Sequence, residues 1–120
     1  MKRVNGKFKP RIVIDFDGTI ADDVFPEMGN PRPGVIEALN KLKKEGFEII
    51  IHSCRTGSYF KDLLFDDQFE LIKEYMHYYK MPFDSIWVPD KPIALAYVDD
   101  KAIKYKDNWD EITNKLIKMK

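Results

Sequence analysis

The sequence predicts a parallel α/β fold: a three-layer α/β/α sandwich around a mostly parallel, Rossmann-like sheet. Three observations point there. Short β-branched runs alternate with segments of helical period, the pattern that crossovers between parallel strands require. The first run, Ile12-Val13-Ile14, has no polar interruption, as expected of a strand buried on both faces. It stops at two carboxylates, Asp15 and Asp17, at the strand end where ligand crevices form in open parallel sheets. The chain has 120 residues, 44% of them apolar, which suits one domain spanning 1–120 and able to bury a core.

The elements follow in order. Residues 11–16 form the first strand. A loop from Gly18 to Arg32, rich in Asp, Pro and Gly, comes next. Pro33 suits a first helical position, and Val35, Ala38, Leu39 and Leu42 repeat at helical spacing. Gly46 is placed to end that helix. Phe47 to Ile51 form the second strand, which ends at His52-Ser53. Between Ser58 and Lys80, the residues Phe60, Leu63, Leu64, Ile72, Tyr75, Met76 and Tyr79 make a helical stripe with a break near Asp66-Asp67. Pro82 terminates it. Short strands are predicted at Ser85–Val88 and Ala94–Val98, and Trp109, Ile112, Leu116 and Met119 mark a final helix that Trp109 would anchor.

Composition excludes several classes. Lys plus Arg and Asp plus Glu number 20 each, so no global field recruits nucleic acid or an anionic membrane. No apolar stretch approaches the roughly 20 residues of a membrane span. The basic start, Met-Lys-Arg-Val-Asn-Gly-Lys, lacks the apolar region of a signal peptide. The single cysteine, Cys54, has no internal partner, which suits a reducing compartment. The expected location is the cytoplasm.

Four spots carry chemistry. Asp15 and Asp17 lie two residues apart and would face one side of a strand. Two clustered acids repel each other unless a cation or a functional demand offsets the cost. Ser53 ends the second strand, a Lys-Pro pair sits at Lys91-Pro92, and Tyr97-Val98-Asp99-Asp100 closes the last strand. The pentapeptide Asp15-Phe16-Asp17-Gly18-Thr19 could by itself be a strand ending in an Asx turn. Followed in order by the other three spots, across residues 11 to 100, it resembles the signature set of the haloacid dehalogenase superfamily. A receiver domain also combines acids, a hydroxyl and a lysine, but it carries its acid pair early.

The resemblance implies a Mg²⁺-dependent phosphomonoesterase that works through an aspartyl-phosphate. Asp15 would be the nucleophile and Asp17 the general acid and base. Ser53 and Lys91 would hold the transferring phosphate, with Gly18, Thr19 and Arg55 as further substrate contacts. Mg²⁺ would be held by Asp15, Asp17, Asp99 and Asp100, the backbone carbonyl of Asp17 included. An acid at position 17 favours phosphatases and phosphomutases, because transport ATPases of the superfamily carry Thr there and dehalogenases lack the acid. Residues 18–52 and 54–90 each suffice for one crossover and no inserted cap, so a capless member is expected.

Alternatives stand beside several residues. Thr56 competes with Ser53 for the phosphate. Asp100 is a metal ligand, an acid behind the ligands, or the cap of a short helix starting at Lys101. Asp22 and Asp23 read as a solvated loop pair. His52 and Cys54 flank Ser53 and would point away from it, and Cys54 lacks a Cys-x5-Arg phosphate loop. Arg55 is either a substrate contact or a surface salt bridge, and Phe60, Tyr75 and Tyr79 read as core. A nucleotide or polynucleotide-end phosphatase is an alternative within the class. A non-catalytic module binding Mg²⁺ and phosphate is one outside it, disfavoured by the intact Asp15 and Asp17. An open site needs cover, for which the loop Ala21–Arg32 with Val24, Phe25 and Met28 is the local wall. A neighbouring subunit in a homo-oligomer, or a substrate large enough to supply its own contacts, would supply the rest.

Overall fold

The computed structural model describes residues 3, 4, 7, 8, 10–57, 60, 67–87 and 94–119. Strands β3 (Arg11–Ile14), β4 (Glu48–His52), β5 (Ser85–Trp87) and β6 (Ala96–Val98) form one sheet in the order β5-β4-β3-β6. Every pairing in it is parallel: Ile14 is level with Ile51 and Val98, and His52 with Trp87. The expected parallel, Rossmann-like α/β fold is what the chain adopts. All four strands therefore end at the same edge, and that edge carries Asp15, Ser53 and Asp99.

Burial explains the sheet's order. Ile12, Val13 and Ile14 of β3 and Ile49, Ile50 and Ile51 of β4 expose no more than 8% each. Each such side chain contributes on the order of 2 kcal/mol on leaving water. These two apolar strands take the centre. Strand β6 was expected to belong to the core, yet its three residues are exposed and it forms the edge of the described sheet. The Arg11 Nε–Glu48 Oε1 pair at 2.8 Å joins the level starts of β3 and β4.

Helix α1 (Val35–Lys44) begins two residues after Pro33, behind Gly34, and buries Leu39. Lys41, Lys43 and Lys44 occupy its last turn, where cations favour the helix dipole. Gly46 follows with φ 91°, a left-handed conformation that glycine adopts without penalty. Helix α2 (Gln68–Tyr78) starts at Asp67, whose side chain accepts from the amides of Phe69 and Glu70. The break expected near Asp66-Asp67 is this cap; Ser58, Leu63, Leu64 and Asp66 lie outside the described residues. Ile72, Tyr75 and Met76 turn inward from α2 at helical spacing. In helix α3 (Trp109–Met119) Ile112 is the buried residue among those described, and the Leu116 side chain lies outside them. Trp109 does not anchor this helix: it is 64% exposed and rests against Tyr105.

Two short strands were not anticipated. β1 (Arg3–Val4) pairs antiparallel with β2 (Lys7–Phe8), Val4 opposite Lys7. The residues between them in the sequence are Asn5 and Gly6, the dipeptide that two-residue hairpins favour. No helix among the described residues is long and apolar enough to cross a membrane.

Candidate active site

Asp15 leaves β3 directly, its amide donating to the Val98 carbonyl of β6 at 2.9 Å. The chain then turns sharply, and the amides of Thr19, Ile20 and Ala21 converge on the Phe16 carbonyl. This turn brings Thr19 back beneath the acids. The Thr19 hydroxyl donates to Asp15 Oδ2 at 3.5 Å and accepts from the Asp100 amide at 3.2 Å. Gly18 has φ 85°, and a Cβ there would collide with the Asp100 carboxylate. Gly18 and Thr19 thus shape the acid cluster, where substrate contacts were expected of them.

Asp15, Asp99 and Asp100 each offer a carboxylate oxygen, and these oxygens lie within 4.8 Å of one another. Burial foremost, and then the negative charge of Asp99, raise the Asp15 carboxyl from 3.8 to about 7, with Asp100 adding to the rise. Three hard oxygen donors with mutual repulsion could hold a metal cation. Asp99 Oδ1 also accepts the Lys101 amide at 2.8 Å, and residues 100–101 form a turn with no helix after it. The helix-cap alternative for Asp100 therefore falls away.

Asp17 points elsewhere. Arg55 Nε donates to its Oδ2 at 2.7 Å and Nη2 to its Oδ1 at 2.8 Å. The other guanidinium hydrogens go to the carbonyls of Pro26 at 2.8 Å and Glu27 at 2.6 Å and to Gln68 Oε1 at 3.0 Å. Arginine has five N–H donors, so this set engages the whole fork. The guanidinium lies 4.8 Å from the Phe25 ring centre, and the residue is 1% exposed. Two expectations need correction. Arg55 is neither a substrate contact nor a surface salt bridge, because the loop and α2 surround it. The Asp17 carboxylate is not grouped with the other acids as a metal ligand, because both its oxygens accept from Arg55.

A cavity of about 590 Å³ opens over this edge. Asp15, Asp17, Ser53, Thr56 and Asp99 line it, so the chemistry-bearing side chains share one space. Ser53 is 4% exposed and its Oγ accepts the Arg55 amide at 3.2 Å, starting the 3-10 turn of residues 54–56. Thr56 donates back to the Ser53 carbonyl at 3.1 Å and faces the same space. Lys91 lies outside the described residues. His52 and Cys54 were expected to point away from Ser53, yet both line the cavity: His52 ends β4 level with Asp15, and Cys54 opens the 3-10 turn over the strand ends. The Cys54 thiol is pushed up by burial and by the charges of Asp15 and Asp17, which disfavours a nucleophilic thiolate.

The expected loop wall is met at Phe25 alone of its three apolar residues, since Val24 is 49% exposed and does not line the cavity. Phe25 lines the cavity beside Phe60, with ring centres 5.1 Å apart, and Met28 packs on the core. Asp22 pairs with Arg32, whereas Asp23 reaches the cavity. Tyr75 is core, as expected, and its hydroxyl donates to the Gly29 carbonyl at 2.7 Å. Lys101 also lines the cavity, and sequence reasoning missed it as a site residue. Its only signal was its position directly after Asp99-Asp100.

No family model and no curated protein matches the chain. Among solved structures, it is similar to a conserved protein from Bacteroides thetaiotaomicron, at 24% identity and a TM-score of 0.59, covering 92% of this chain and 91% of that one. It is also similar to a crystallised target protein from Vibrio cholerae, at 27% identity and a TM-score of 0.54, covering 92% of this chain and 99% of that one. These likenesses establish the α/β fold.

Proposed function

We propose that the chain is a Mg²⁺-dependent phosphomonoesterase of the capless haloacid dehalogenase type. The observation that carries this reading is the convergence of Asp15, Asp99 and Asp100 at the carboxyl edge of a parallel sheet. Those three side chains would hold the ion, which when bound would supply positive charge against the negative charge of the phosphate.

The chain's own residues do the rest. An Asp15 oxygen attacks phosphorus, forming an O–P bond as the bond to the leaving oxygen breaks. The leaving oxygen takes a proton from Asp17. Water then attacks the aspartyl-phosphate, gives its proton to Asp17 and releases inorganic phosphate, which restores both acids. A carboxylate has about four lone-pair sites, so acceptance of two hydrogen bonds from Arg55 leaves room for this proton. Ser53 donates to a phosphate oxygen, and the resemblance assigns Lys91 the accompanying cation.

Hydrolysis of an aryl phosphate with and without Mg²⁺ tests the reading, paired with Asp15→Asn. The variant should fold, by circular dichroism, and lose phosphate release in a single turnover. Near-normal release, or an acyl-phosphate trapped on another residue, would overturn the mechanism. Binding of Mg²⁺ and phosphate by the wild type without turnover would instead indicate the non-catalytic module.

A further inference from the structure

The cavity has a second character besides its acids: Phe25, Phe60 and Trp87 all line it. None belongs to the buried core. Phe25 is 37% exposed, and Phe60 and Trp87 are half-buried. Phe25 and Phe60 form one wall, their ring planes tilted by 56°. Trp87, at the end of β5, also lines the cavity, and its ring leans back over the sheet face, with the guanidinium of Arg11, the first residue of β3, 5.5 Å from its centre.

The register gives the scale of this space. Ile14 is level with Ile51, so the next residue, Asp15, is level with His52, which pairs with Trp87. Asp15 and Trp87 therefore sit at the same height two strands apart, about 10 Å by ordinary strand spacing. That backbone spacing is on the order of one phosphate plus one flat ring. On the aromatic side of the cavity, a polyhydroxyl leaving group would set some hydroxyls against ring faces, which cannot replace the hydrogen bonds lost from water. A planar ring loses nothing there and gains edge or stacking contacts.

We propose that this cavity takes phosphate monoesters whose leaving group carries an aromatic ring close to the phosphorus, seated among Phe25, Phe60 and Trp87. The inference rests on the phosphatase reading and names its substrate class. Benzyl phosphate and cyclohexylmethyl phosphate test it, since both are alkyl esters of similar size and only one ring is planar. The wild type should favour benzyl phosphate about three- to tenfold in kcat/KM, the usual worth of an aromatic contact. Trp87→Leu and Phe60→Leu, which keep an apolar side chain but remove the aromatic ring, should each pull that ratio toward one. Because the readout is a ratio within one protein, partial loss of folded enzyme does not mimic the result.

Calorimetric binding of benzylphosphonate against cyclohexylmethylphosphonate separates the two levels of the proposal. Ring-selective binding without hydrolysis of either ester would overturn the phosphatase reading and keep the ring site. Equal kcat/KM for the esters and equal affinity for the phosphonates would overturn the ring site and leave the phosphatase reading standing. A ratio unchanged in both leucine variants would also overturn it.

Discussion

At the scale of single residues, Arg55 governs the site's geometry without lying open to solvent. It orients Asp17 through two hydrogen bonds and ties the loop carbonyls of Pro26 and Glu27 to Gln68 of α2. Removing one partner of a buried ion pair leaves an uncompensated charge, which costs about 3–5 kcal/mol. Arg55→Met should therefore lower the melting temperature by about 10 °C or more. Arg55→Lys should recover only part of this, because an ammonium keeps the charge but not the fork. Thermal melts followed by circular dichroism decide it; two variants melting alongside wild type would mean that the clamp contributes little. Asp17→Asn should do two things at once. It places an amide donor against a guanidinium donor, which lowers stability, and it removes the proton carrier, which slows turnover by about 10²–10⁴.

Among elements, α2 is the one that holds the loop over the site. It supplies Gln68 to the Arg55 clamp and Tyr75 to the Gly29 carbonyl, and its first turn depends on Asp67. Tyr75→Phe keeps the edge-on contact with Phe16 but leaves a buried carbonyl unpaired, a loss of about 1–3 kcal/mol. The loop 21–32 should then become the first point of cleavage in limited proteolysis, and KM should rise more than kcat falls. Wild-type cleavage kinetics in this variant would show that other contacts restrain the loop. Much of this scale was legible beforehand. The apolar runs of β3 and β4, the Asp67 break and Gly46 are local signals with local causes. The exposure of β6 was not legible, because Ala96-Tyr97-Val98 has the composition of a core strand and only its place in the sheet order makes it an edge.

For the whole molecule, the acid cluster links stability to pH and metal. The folded state raises the Asp15 carboxyl from 3.8 to about 7, so between these values it holds a proton that the unfolded chain has released. Its stabilising contribution is full below about pH 4 and is lost as pH rises through about 7. Comparing melts with Mg²⁺ and with chelator isolates the contribution of the ion. The gain from Mg²⁺ should be small near pH 5, grow toward pH 8, and shrink sharply in Asp15→Asn. A gain independent of pH across that range would mean that Asp15 does not meet the ion.

The sequence by itself determined what depends on neighbours along the chain. The order of strands and helices, the stop of β3 at Asp15, and the acids after β6 follow from periodicity and from carboxylates at strand ends. Parallel strands end at one edge, so the meeting of Asp15 with Asp99 and Asp100 was readable from the order of strands alone. Only the tertiary structure decided which way side chains in loops and at the ends of elements turn. Asp17 goes to Arg55 and away from the acids, Trp87 and Phe60 face the cavity, and Trp109 stays outside. The reason is physical: a loop residue has no repeat to fix its direction, so its orientation is set by partners distant in sequence, as Gln68, Pro26 and Glu27 set that of Arg55.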